Sequence, residues 1–328
     1  MSDMYLIDDV RAKDIKMESI RDGFGRGLLE AGKKNDQVVG ICADLTDSTK
    51  MSLFAEAFPD RFIEAGIAEQ NIVTVGSGMA AMGKIPFVSS YAAFCPGRCW
   101  EQIRTTICLN ERNVKIIGSH AGLYTSPDGA THQALEDITL MRVLPNMVVL
   151  VPCDSVESEK MALAMANDKR ANYVRLARGA SPVITTANTP FTIGPAYVLR
   201  TGADVTLVAT GTMTYQALVA ASMLAKDGIS AEVIHVPTVK PFDAQTIITS
   251  ARKTRAVVVA EEGQIYGGLG GAVAEALSEQ AATPLRRIGM KDQFGQSAQT
   301  PEELLKHYGL DAMHIALAAH DLVSRREK

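Results

Sequence analysis

The chain has 328 residues, too many for one small core and about right for two α/β domains. Its apolar fraction of 47% fits an ordinary globular protein, and a net charge of −4, mixed in sign along the chain, leaves no basic footprint for nucleic acid or an anionic membrane. No apolar run reaches the ~18 residues of a membrane span, and the acidic start M-S-D-M-Y-L-I-D-D-V lacks the apolar core of a secretory signal.

Helix-like and strand-like segments alternate from end to end. A first apolar helix is predicted over Lys16 to Lys33, then a buried strand at Val38–Leu45. A small-residue helix from Ala68 to Met82 leads to a strand at Ile85–Ser90. A helix from Gly97 to Asn110, a strand at Val114–Ser119, a helix from Gln133 to Leu144 and a strand at Met147–Pro152 follow. A helix at Val156–Asn167 and a strand at Tyr173–Leu176 close this half. Apolar strands between helices imply a mainly parallel sheet covered on both faces. Gly179 to Gly194, rich in Ala, Ser, Thr, Pro and Gly, reads as a linker. A second α/β unit has strands at Val205–Thr210, Ala231–Val236 and Ala256–Ala260, helices at Tyr215–Lys226 and Gly268–Leu277, and two short helices after Thr300. The fold class is thus α/β, with two doubly wound domains. The G-G-L-G-G run at the last long helix lacks the full dinucleotide spacing and reads as a close helix–strand or subunit contact.

The five cysteines, at 42, 95, 99, 108 and 153, are odd in number and form no C-x-x-C. Cys95 and Cys99 share a helix face but lack nearby His or Cys partners, so no metal site is assigned. Reduced, mostly buried thiols in a cytoplasmic protein that begins naturally at Met1 are expected.

Two segments carry chemistry. In F-I-E-A-G-I-A-E-Q-N-I-V, Glu69 stands in an apolar run at a helix start. A carboxylate there is costly to bury unless hydrogen-bonded, so it has either a structural partner or a ligand. In Gly118–Glu136, His120, Asp128 and His132 share one loop between a strand end and a helix start, where open α/β sheets bind ligands. The twelve-residue spacing of the histidines is not a standard metal pattern.

The order G-I-A-E-Q, P-F-V-S-S-Y-A-A-F, G-S-H, D-G-A-T-H-Q, L-P-N-M, V-P-C-D and V-R-L-A-R-G resembles the second half of a transketolase, from about Ile20 to Ala318. The resemblance implies a leader (1–15), a thiamine-diphosphate pyrimidine-binding domain (16–179), a linker (180–194) and a transketolase C-terminal domain (195–328). It implies that Glu69 hydrogen-bonds the cofactor's aminopyrimidine and favours the imino tautomer that deprotonates the thiazolium carbon, which then attacks a ketose. Tyr91 and Phe94 would pack around that pyrimidine, on one face if the turn is helical. The family's third aromatic position is Gly97 here. Asp44 in A-D-L-T would lie near the cofactor or a subunit contact. His120 and His132 would donate to sugar hydroxyls and shuttle the carbonyl proton, and Asp128 would accept from a hydroxyl. Arg21, Ser48 and Arg178 would take the sugar phosphate. Arg175, three residues before Arg178 in V-R-L-A-R-G, resembles the V-R-x-x-R-G of deoxyxylulose-phosphate synthase, a sister family.

The family's G-D-G element, which holds the diphosphate and its divalent ion, does not occur in this sequence. The resemblance therefore implies a partner, an N-terminal transketolase subunit that carries the diphosphate-binding domain and mainly holds Mg2+, in an α2β2 assembly. The activity implied is transfer of a two-carbon ketol unit between sugar phosphates. Alternatives are a deoxyxylulose-phosphate-synthase-like enzyme, the beta subunit of a 2-oxo-acid dehydrogenase, and a non-catalytic paralogue.

Overall fold

The computed structural model describes residues 6–325. The outer ends of the expected leader and second domain, residues 1–5 and 326–328, lie outside them. The first domain runs β1 (Met17–Ser19), α1 (Ile20–Lys34), β2 (Val38–Cys42), α2 (Ser52–Ala57), β3 (Phe62–Glu64), α3 (Glu69–Ala81), β4 (Ile85–Tyr91) and α4 (Trp100–Gln102). It continues with β5 (Lys115–Ser119), α5 (Asp137–Arg142), β6 (Met147–Leu150), α6 (Ser155–Asn167), β7 (Ala171–Arg175) and β8 (Ala180–Pro182). The second comprises β9 (Tyr197–Arg200), β10 (Val205–Ala209), α7 (Met213–Leu224), β11 (Ala231–His235), β12 (Thr238–Lys240) and α8 (Ala244–Thr254). After them come β13 (Val257–Gln264), α9 (Leu269–Gln280), β14 (Leu285–Met290), α10 (Pro301–Tyr308) and α11 (Ala312–Ser324).

The first sheet has the order β12-β6-β7-β5-β4-β2-β3, parallel except where β12 joins β6. The second has the order β14-β13-β10-β11-β9, parallel except at β9. Every residue of β2, β5, β6 and β7 is buried. That is why these strands are apolar throughout instead of alternating. The edge strand β12 comes from the second half of the chain, so the two domains share a sheet.

Several boundaries differ from the sequence reading, four of them for a plain tertiary reason. The first helix starts at Ile20, because Met17–Ser19 pair antiparallel with Ala180–Pro182. The linker therefore begins inside the first domain, and the Asp154 carboxylate also accepts from the Ile184 and Thr185 amides. The helix expected over Gln133–Leu144 shrinks to Asp137–Arg142, since Ala134 bridges Ala121 and Gln133 turns outward to the second domain. The segment expected as a helix over Gly97–Asn110 is regular only at Trp100–Gln102 and widens to π geometry over Ile103–Cys108.

Buried polar contacts join the domains. Arg175 donates to Asp137 (3.0 Å) and to the Glu262 carbonyl, and Tyr173 donates to Asp137 (2.6 Å). Glu157 at the start of α6 lies 2.9 Å from His235 Nε2 and accepts from the Cys153 amide (2.8 Å). Each residue in these contacts is buried, which makes them costly to break.

Candidate active site

The carboxyl edge of the first sheet gathers most of the candidate residues. β4 ends at Tyr91, His120 follows β5, Arg178 follows β7, and Glu69 opens α3. This is the edge where open α/β sheets present loops to ligands.

A continuous line of contacts runs across it. Glu69, 3% exposed, accepts from Arg98 Nη1 at 2.7 Å. The Arg98 guanidinium sits 4.9 Å from the Phe94 ring centroid. Phe94 stacks with Tyr91 at 6.0 Å, and Tyr91 stacks on His120 at 3.7 Å. His132 meets the edges of both aromatics, at 6.1 and 5.4 Å. His120 Nε2 lies 3.3 Å from Arg21, Arg21 donates to the Arg178 carbonyl at 2.8 Å, and Arg178 pairs with Asp128 at 3.2 Å. Tyr91 and Phe94 are not on a helix. A tight turn, with Phe94 and Cys95 amides both 2.8 Å from the Tyr91 carbonyl, brings the rings together instead.

His120 differs from expectation. A guanidinium only donates, so Nε2 accepts from Arg21 and the ring proton is on Nδ1, 2.9 Å from Ser119 Oγ. Burial first, then the charges of Arg21 and Arg178 and the nearby His132, push its pKa down to about 2. In this arrangement His120 is a neutral acceptor at Nε2, not a donor to a sugar hydroxyl. His132 keeps its Nδ1 2.8 Å from Thr131 Oγ1 and is only partly buried.

The anion set also changes shape. Arg21 spends its donors on Ser19 Oγ (3.2 Å), the Ser48 carbonyl, the Arg178 carbonyl and His120. It holds the site together, and Ser48 contributes its carbonyl to that clasp. Arg178, about one-third exposed, is the cation that faces outward, with Asp128 as its counter-charge. Arg175 does not share its face. The strand ends at Arg175, and an odd spacing of three points the earlier side chain into the domain interface. Asp44 stands apart. It is exposed at φ 56°, and its amide donates to Glu64 Oε1 at 2.6 Å.

Arg98 and Glu64 escaped the sequence reading. Arg98 follows Pro96 and Gly97 and is half exposed, so nothing local marks it. The G-G-L-G-G contact is intramolecular. Glu261 accepts from the Leu269 and Gly270 amides at 2.8 and 2.7 Å, and a Cβ on Gly268 would come within 2.1 Å of that carboxylate. The anion position at this helix start is already taken by the chain's own acid.

Comparison with known proteins identifies the family. Residues 16–183 match the transketolase pyrimidine-binding domain, and residues 194–315 match the transketolase C-terminal domain. The chain belongs to the transketolase family. It is 41% identical over 315 residues to the 6-deoxy-6-sulfo-D-fructose transketolase subunit of Clostridium sp. (strain MSTE9), covering 95% of this chain and 98% of that one. It is 34% identical over 310 residues to an apulose-4-phosphate transketolase subunit from Phocaeicola vulgatus, covering 94% and 99%. A solved split-gene transketolase, described as an inactive beta4 tetramer, superposes with a TM-score of 0.87 at 45% identity, covering 93% of this chain and 98% of that one. Like these transketolase relatives, the chain corresponds to a subunit of a split transketolase.

Proposed function

We propose that this subunit supplies the pyrimidine side of a two-chain, thiamine-diphosphate-dependent transketolase that moves a two-carbon ketol unit between sugar phosphates. The observation that carries the reading is Glu69, a nearly inaccessible acid whose described partner is a half-exposed arginine, at one end of a continuous line to His120, Arg178 and Asp128.

These residues fit the cofactor's aminopyrimidine. Glu69 offers a carboxylate for its ring nitrogen once Arg98 moves aside, and Phe94 and Tyr91 offer an aromatic wall. When bound, the cofactor supplies the electron sink for the two-carbon unit. The Glu69 carboxylate would accept the pyrimidine's hydrogen bond, in a buried setting that would strengthen it. His120 accepts a hydrogen bond from a sugar hydroxyl at Nε2 in exchange for the one from Arg21, His132 orients a second polar group, and Arg178 and Asp128 take the far end of the sugar phosphate. The diphosphate and Mg2+ belong to the partner chain, in an α2β2 assembly, with the active site between chains. The names of the Clostridium and Phocaeicola relatives, each a transketolase subunit, support a partner of this kind. Five buried free thiols support a reducing, cytoplasmic setting, and among the described residues no helix is long and apolar enough to cross a membrane.

The test is to capture the tagged chain from its native lysate and assay the complex with thiamine diphosphate, Mg2+ and pentose and hexose phosphates. Ketol transfer by the pair, and none by either chain alone, is expected. Full turnover by this chain alone would overturn the two-chain reading, and activity confined to 2-oxo acids would reassign it to a dehydrogenase.

A further inference from the structure

The loop that carries Asp128 and His132 is not held by its own domain alone. We infer that the segment 291–298 of the second domain clasps it, with Gln133 as the positioning residue for substrate. The inference rests on the function proposed above. Gln133, 4% exposed, donates from Nε2 to the Gln296 carbonyl at 3.0 Å. The Ala298 amide donates to the Ser126 carbonyl at 3.0 Å. These two bonds bracket the six residues 127–132.

Between them the fit is close. A Cβ on Gly129, which has φ +75°, would come within 2.5 Å of Ser297 Oγ. A Cβ on Gly295 would come within 1.9 Å of Gln133 Oε1, which is buried and has no hydrogen-bond partner among the described residues. A side chain there would push the Gln133 amide out of its place. The segment is itself braced. Gln264 Nε2 donates to the Gln293 carbonyl at 2.8 Å, and Gln264 Oε1 accepts from the Asp292 amide at 3.2 Å. Gln264 ends β13, so the clasp is tied to the second sheet.

The physical consequence is specific. Glu69, Tyr91 and Phe94 lie on other segments, so loosening the clasp moves the sugar-facing side chains directly and reaches the cofactor-facing aromatics only through the edge contacts of His132. Small misplacements of positioning groups are felt strongly in catalysis.

The test uses Gln133→Leu and Gly295→Ala in the full chain assembled with its captured partner. Donor kinetics are measured with whichever of fructose 6-phosphate and xylulose 5-phosphate the wild type turns over, and amide exchange is followed across residues 126–133. Each variant is expected to raise KM for the sugar phosphate about tenfold, with kcat within about threefold and half-saturation by thiamine diphosphate unchanged. Exchange is expected to quicken within 126–133. Unchanged KM together with unchanged exchange would overturn the clasp, as would an equal loss of cofactor affinity. If Gln133→Leu does not fold, Gly295→Ala decides from the other side. If the wild-type complex transfers no ketol unit, the proposed function falls and exchange alone judges the clasp.

Discussion

The two sheets share a winding and present the same kind of edge, yet they use it in opposite ways. At the carboxyl edge of the first sheet, Arg178, Asp128 and His132 are partly exposed, and Arg98 covers Glu69 from solvent. At the carboxyl edge of the second, Glu261, Glu262 and His235 are buried and answered from within. Glu261 caps α9, Glu262 accepts from the Tyr124 amide (2.9 Å) and Thr212 Oγ1 (2.7 Å), and His235 lies between Glu157 and Thr214. A sheet edge becomes a site when its polar groups keep spare valence toward solvent. It becomes an interface when a neighbouring domain uses that valence up.

The sharpest way to break this contrast is Asp137→Leu, which strands the buried Arg175 and the Tyr173 hydroxyl. It is expected to cost about 3–5 kcal/mol in denaturant unfolding. His120 gives the next largest effect. The folded chain keeps it neutral down to about pH 2, whereas the unfolded chain protonates it near its ordinary 6.5. From 6.5 downward the unfolded state binds the extra proton, so stability falls as pH drops, by about 1.4 kcal/mol per unit. Unfolding midpoints of His120→Gln should lose that much of the slope between pH 6.5 and 4.5. Glu261→Ala frees two α9 amides and should cost about 1–3 kcal/mol, without altering turnover of the folded fraction. Arg98→Ala should have the smallest effect, about 1 kcal/mol in calorimetry of the isolated subunit, because Arg98 is half in solvent. That difference should vanish when partner and thiamine diphosphate are present and the Glu69 carboxylate is engaged.

Much of the first edge was legible in the chain. Strands such as Val38–Cys42 announce themselves by unbroken apolar runs. Glu69 stands out because an acid in such a run needs a reason. His120, Asp128 and His132 stand out because they crowd one loop. What could not be read was long-range. Residues 133–136 have helical composition, but Gln133 bonds a carbonyl 163 positions away. Arg175 looks like a second anion ligand until Asp137 is seen opposite it. Arg21 looks like a phosphate ligand, although its donors go to carbonyls brought in from Ser48 and Arg178. In each case local pattern gave the residue type, and a distant partner decided its use.

The most direct measurement is turnover of Glu69→Gln, assembled with the captured partner and supplied with thiamine diphosphate, Mg2+ and sugar phosphates, beside the melting temperature of the same complex. The expected result is a loss of about 10²–10⁴-fold in kcat with melting essentially unchanged. Turnover within a few-fold of wild type would contradict a catalytic role for this edge and leave the Glu69–Arg98 pair as a structural contact.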